Sequence, residues 1–193
     1  IIQSQNADQQ RSIASITKLM TVMVVLDSNQ SLDETFKFKN TTVSRQELIN
    51  LALVHSDNNA ALALCEHYVG GTSNCIRAMN AKADKLGLQQ TKYVDPTGLG
   101  VFNVSTATEL VTIVKTASKY PVIVNASKMS DVKIKIKRKW LVFRNTNPII
   151  GKRHEFIVSK TGYINASGGC IVMMLDTDIG RRIVVVLGSK NTH

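Results

Sequence analysis

Ser15-Ile16-Thr17-Lys18-Leu19-Met20-Thr21-Val22-Met23-Val24-Val25-Leu26 is the stretch on which the fold turns. Between Leu19 and Leu26 only Thr21 is polar, so a helix here is apolar on nearly every side and has to be buried. The run is far too short to cross a bilayer. In the helix Ser15 and Lys18 stand three residues apart and share a face. Lysine is seldom buried unless it is paired or used, and an amine beside a hydroxyl can take its proton. Two readings stay open for the tetrapeptide alone. One is an N-cap serine with a lysine that snorkels to the surface. The other is a nucleophile beside its base.

Working outward, residues 1–5 read as the end of a strand and Asn6-Ala7-Asp8 as a turn, before a buried helix over roughly Ile16 to Asp27. Phe36-Lys37-Phe38-Lys39 alternates as a short strand does. Ser44-Arg45-Gln46-Glu47 is a capping box opening a helix that stops near His55. Ser56-Asp57-Asn58-Asn59 is a polar break, helix resumes at Ala60, and Gly70-Gly71 closes it. Ile76, Met79, Ala83 and Leu86 mark a further helix with Gly87 as its C-terminal cap. Asp95-Pro96-Thr97-Gly98 is a turn, and Thr106-Ala107-Thr108-Glu109 a second capping box leading a helix to about Ser118. Beyond Pro121 the texture turns to β, at Val132–Ile136, Trp140–Phe143, Phe156–Thr161, Cys170–Leu175 and Ile183–Leu187. Asp176 to Gly180 is the hairpin loop between the last two. This order predicts an α+β fold, an antiparallel sheet flanked by helices with a helical insertion. Residues 1–27 with 104–193 form the sheet subdomain in this reading, and 28–103 the helix-rich one.

The chain has 193 residues and a net charge of +10, and the segment from Lys115 to Arg153 holds all of that excess. Within it, Val132, Ile134 and Ile136 alternate with lysines, the pattern of a strand with one wet face. The alternative is a patch that attracts anionic wall polymers or nucleic acid. Only Trp140 and Phe143 interleave the cations, which argues against base stacking and against a nucleic-acid partner. Cys65, Cys75 and Cys170, like the four histidines, lack metal-ligand spacing, so no metal is expected. The cysteines read as small core residues, with a Cys65–Cys75 bridge left open for an oxidising compartment.

Two more oddities join the first. Ser56-Asp57-Asn58 interrupts two segments of good helix propensity. Lys160-Thr161-Gly162 ends the β-branched strand Phe156-Ile157-Val158. Each has an ordinary role, as an interhelical turn and a strand end. Together, Ser-x-x-Lys, then Ser-x-Asn 41 positions on, then Lys-Thr-Gly 145 positions on, form the three-part signature of penicillin-binding proteins and class A β-lactamases. The helix start, interhelical loop and late strand are the contexts that signature requires.

The chain thus resembles the low-molecular-weight penicillin-binding proteins of the D-alanyl-D-alanine carboxypeptidase/endopeptidase family. Asn6-Ala7-Asp8, Asp95-Pro96-Thr97-Gly98-Leu99, Asn145-Thr146-Asn147 and Lys160 to Ala166 are similar to that family's stretches as well, and Gly169 to Met173 has the flavour of its endopeptidase branch. The resemblance implies a β-lactamase/penicillin-binding-protein-like fold and a serine DD-peptidase acting on peptidoglycan stems, acylated by β-lactams, with no cofactor. It implies Ser15 as nucleophile and Lys18 as base, with Lys160 the cation that lowers the amine's pKa. Ser56 would relay a proton and Asn58 would hold Lys18 and a substrate amide. Thr161 and Gly162 would bind the substrate, and the N–H groups of Ser15 and Tyr163 would form the oxyanion hole. Alternatives are a non-catalytic peptidoglycan-binding or sensor homologue, or a β-lactamase, whose Glu-x-x-Leu-Asn loop has no counterpart after the second motif. The family's compartment is periplasmic or extracytoplasmic. Opening on Ile1-Ile2 and closing at His193, the chain reads as a trimmed piece, with a further strand before it and a helix after it in the family.

Overall fold

The structure is a computed structural model that describes residues 2–136, 138–151 and 155–190. Of the residues weighed above, Ile1, Lys137, Arg153, His154 and His193 lie outside the described set. A 3₁₀ turn, Ala14–Ile16, runs straight into helix α1, Thr17–Asp27. Every residue of α1 from Thr17 to Val25 is buried. It packs against α2 (Arg45–Val54), α3 (Asn58–Glu66), α4 (Gly71–Lys85) and α5 (Ala107–Ala117). Burying each of its Leu, Met and Val side chains contributes roughly 1.5–3 kcal/mol, which is why so uniformly apolar a helix belongs at the centre.

Local signals set the surrounding helices. The box at Ser44 forms in full: its hydroxyl accepts from Glu47 N and the Glu47 carboxylate accepts from Ser44 N. At Thr106 only half of it forms, because Glu109 accepts instead from Gln90 N and the Thr91 hydroxyl. Asp57 caps α3 by accepting from Ala60 N. Gly70, with φ of 80°, opens α4 rather than merely ending α3. Cys65 and Cys75 form a disulfide that ties α3 to α4. Closing a loop of ten residues contributes about 2–3 kcal/mol in the chain-entropy account.

Strands β7 (Glu155–Ile164), β8 (Gly168–Thr177) and β9 (Gly180–Ser189) form an antiparallel sheet in that order. The 3₁₀ turn lies against β7 and β8, and α5 against β8 and β9. Among the described residues β7 pairs only with β8, so its other edge is open beside Ser15. Three two-stranded pairs complete the β-structure. They are β1 (Arg11–Ser12) with β4 (Val104–Ser105), β2 (Thr35–Phe38) with β3 (Thr41–Ser44), and β5 (Asp131–Ile136) with β6 (Lys139–Arg144).

Two expectations fail locally. Residues 2–5 form no strand; the chain first turns at Asn6, and only Arg11 and Ser12 come level with Val104 and Ser105. Pro121 does not start the β region but opens helix α6, Pro121–Lys128, where a missing N–H and a fixed φ suit the first turn. No helix among the described residues is long and apolar enough to cross a membrane.

Candidate active site

Ser15 does not cap α1; the α1 N-cap is Ile16 and it makes no side-chain cap bond. Instead the hydroxyl of Ser15 meets Lys18 Nζ at 2.7 Å. Nor does Lys18 snorkel: it is fully buried, and its amine also contacts Asn58 Oδ1 and the Thr97 carbonyl, each at 2.7 Å. Both of those oxygens can only accept, so they fix two N–H directions. On a neutral amine the remaining position is a lone pair, and it points at the Ser15 hydroxyl.

Burial lowers the Lys18 pKa to about 8, with the charges of Asp95 and Asp57 working the other way. At pH 7 about one such amine in ten is neutral, against about one in three thousand for an ordinary lysine. Lys160 is also buried, and donates to Ser56 Oγ at 2.9 Å and to the Thr161 carbonyl at 2.8 Å. Its burial, and then repulsion from Lys18, hold its pKa well below the usual lysine range. Burial is what lowers the Lys18 pKa, against the expectation that a neighbouring Lys160 cation would contribute to lowering it. Of the two amines, Lys160 is the one whose charge the other opposes.

The turn that carries Ser15 is strained and clamped. Ala14 has φ of 45°, a left-handed conformation costing about 1–3 kcal/mol in a residue with a Cβ. Two glycines hold it. A Cβ on Gly98 would lie 1.9 Å from the Ala14 oxygen, and one on Gly162 would lie 2.8 Å from Ser15 N and 3.1 Å from the Ala14 Cβ. Gly162 therefore brings β7 against the backbone of the serine, a closer role than lying along a ligand. Ser56 is left-handed too, with φ of 59°, which turns its hydroxyl to Lys160.

Sequence reading missed the shelf beneath Lys18. Asp95 Oδ1 accepts from Thr97 N, Thr97 Oγ1 and Gly98 N, folding the 95–98 turn on itself. Buried Asn103 ties that turn to α1 by donating to the Asp95 carbonyl and to Thr17 Oγ1. Thr21 Oγ1 donates to the Pro96 carbonyl. Asx-turn chemistry at Asp95 was legible, but nothing local marked the Thr97 carbonyl as a ligand of Lys18. Thr146 was likewise missed; its hydroxyl lies 2.6 Å from Thr161 Oγ1. Tyr163 is half-exposed just beyond Gly162.

Ser15, Lys18 and Asn58 are thus bonded into one cluster, with Ser56 and Lys160 in a second and Thr161 and Gly162 along the β7 edge. A buried helix bearing Ser-x-x-Lys, flanked by helices and facing an antiparallel sheet, is the architecture of the penicillin-binding proteins. The structure superposes on the DD-transpeptidase of Streptomyces K15 with a TM-score of 0.90 at 26% identity, covering 98% of this chain and 85% of the other. It superposes on penicillin-binding protein D2 of Listeria monocytogenes, in a cefotaxime-bound form, with a TM-score of 0.85 at 27% identity, covering 97% and 83%. The model of the family described as D-alanyl-D-alanine carboxypeptidase matches residues 1–39 and 30–191. The chain belongs to that family. It is similar to the D-alanyl-D-alanine endopeptidase of Escherichia coli K12, at 41% identity over 192 residues, covering 90% of this chain. It spans 62% of that relative's length.

Proposed function

We propose that the chain is a serine DD-peptidase that cleaves D-alanyl-D-alanine or D-alanyl cross-link bonds of peptidoglycan through an acyl-serine. The observation that carries this is the Lys18 amine, 2.7 Å from Ser15 Oγ with its other two directions committed to oxygens that only accept. Ser15 Oγ attacks the D-alanyl carbonyl as its proton passes to the Lys18 lone pair. The resulting ammonium has three acceptors in place, so it forms without reorganisation. Ser15 N–H and Tyr163 N–H receive the oxyanion, one such donor being worth about 3–4 kcal/mol. Ser56, bonded to Lys160, relays a proton to the departing amine, and the proton that Lys18 took from Ser15 makes good the loss, so that Lys18 is neutral again for the second step. The open edge of β7 takes the peptide as an added strand, with Thr161 at its terminal carboxylate. Water then hydrolyses the ester.

The same acyl transfer makes β-lactams inhibitors, in keeping with the cefotaxime-bound relative. No carboxylate among the described residues bonds to Ser15, so the site shows no bonded counterpart of the glutamate with which class A β-lactamases activate the deacylating water. That favours a long-lived penicilloyl adduct over β-lactamase turnover. The Cys65–Cys75 bridge supports an extracytoplasmic location, since such bridges persist in oxidising compartments.

Intact-mass measurement after incubation with benzylpenicillin tests the reading. One adduct per chain, persisting after removal of free drug and absent in Ser15→Ala, is the expected result. No adduct on folded protein would mean a non-catalytic wall-binding homologue, and fast turnover of the drug a β-lactamase.

A further inference from the structure

The β5–β6 pair carries features that the peptidase reading does not use. Its register sets Lys133 opposite Val142 and Lys135 opposite Trp140. Directly opposed residues of an antiparallel pair project from the same side. Val132 and Ile134 are buried, so they mark the inner face and leave those two cross-strand pairs on the outer one. There Trp140 is 63% and Val142 55% exposed, beside two exposed lysines and Arg144, the last set opposite Asp131. The pair is firmly seated: it packs on β3 and α2, Thr41 Oγ1 donates to the Lys135 carbonyl, and Phe143 meets the His55 ring edge-on.

We infer that the outer face of the β5–β6 pair docks on an anionic lipid bilayer, with Trp140 and Val142 entering the headgroup region between lysines that pair with lipid phosphates. Charge complementarity supplies the attraction: Lys133, Lys135 and Arg144 stand on this face against one acid, Asp131, within the segment of the sequence that carries the chain's excess positive charge. The apolar pair chooses the occupant. A soluble polyanion needs the cations and could stack on the tryptophan, but it leaves the exposed valine in water. A membrane interface uses both, since tryptophan prefers the headgroup level and neighbouring lysines add an electrostatic anchor. Two residues beyond the end of β6, the Thr146 hydroxyl meets that of Thr161, so this end of the pair lies beside the β7 edge. This inference does not depend on the peptidase reading.

Trp140 is the chain's single tryptophan, so its emission reports the docking directly. The 193-residue chain is titrated at low ionic strength with phosphatidylglycerol/phosphatidylcholine vesicles and with pure phosphatidylcholine vesicles. The expected result is a blue shift with the anionic vesicles alone, reversed by high salt. In co-sedimentation, Lys133→Gln with Lys135→Gln weakens partitioning by about 30-fold, and Trp140→Ser by about tenfold. Circular dichroism and melting confirm that the variants are folded. No shift with anionic vesicles overturns the inference, as does an equal shift with neutral ones. The same shift with soluble polyphosphate or glycan strands overturns it in favour of a wall polymer. Emission already blue in the free protein overturns it too, because another segment or a second copy then covers Trp140.

Discussion

Lys18 and Lys160 are buried between helices and sheet, each bonded to two or more protein oxygens, whereas Lys133 and Lys135 hold their amines in water along one strand. The buried pair have depressed pKa values because burial penalises their charge. The same side chain is a buried, hydrogen-bonded amine with a lowered pKa in one region and a solvated surface group in the other. Position in the fold decides which, and the difference lies in what surrounds the amine.

Removing the buried amine has the largest effect. Lys18→Met lowers the rate constant for penicillin acylation by about 10²–10⁴, the span of a well-placed general base. A fall of less than tenfold would show that another group takes the Ser15 proton. Next comes the contact that sets the serine's backbone. Gly162→Ala places a Cβ 2.8 Å from Ser15 N, and the displaced donor lowers acylation by about 100-fold. Wild-type acylation in that variant would mean that β7 retreats without consequence. At the other extreme, Lys133→Gln changes stability by less than about 0.5 kcal/mol, read from a urea unfolding midpoint. A larger loss would mean that the wet lysine is held by structure after all.

The same contrast explains what was legible in the chain. The α1 run announces its own burial, and the alternation of Val132 and Ile134 with lysines announces a one-sided strand. One is an unbroken apolar run and the other a period of two, and both appear where expected. Pro121 misled because one residue type serves as a stop after one helix and as the first residue of the next. The early strand was placed before the Asn6 turn, although its partners, Val104 and Ser105, lie about a hundred residues away, where no local pattern points. That Lys18 would meet Ser15 and Asn58, and Lys160 the hydroxyl of Ser56, was legible because these types and spacings are unusual together. Thr97 was not, since its contribution is a backbone carbonyl, and every residue has one. Asn103 and Thr146 work through partners 86 and 15 residues away, contacts that only the folded chain reveals.

The central claim is that a neutral Lys18 accepts the proton of Ser15. Its most direct test is the pH profile of penicillin acylation in the wild-type chain, followed by mass between pH 6 and 9.5. Burial lowers the Lys18 pKa to about 8, so the neutral, active form grows as pH rises. The rate should climb about tenfold per pH step in the acid limb and level off above a midpoint near 8. Because Asp95 raises that pKa, Asp95→Asn should move the midpoint to lower pH. A rate independent of pH through 8, or one that falls as Lys18 loses its proton, would contradict the account.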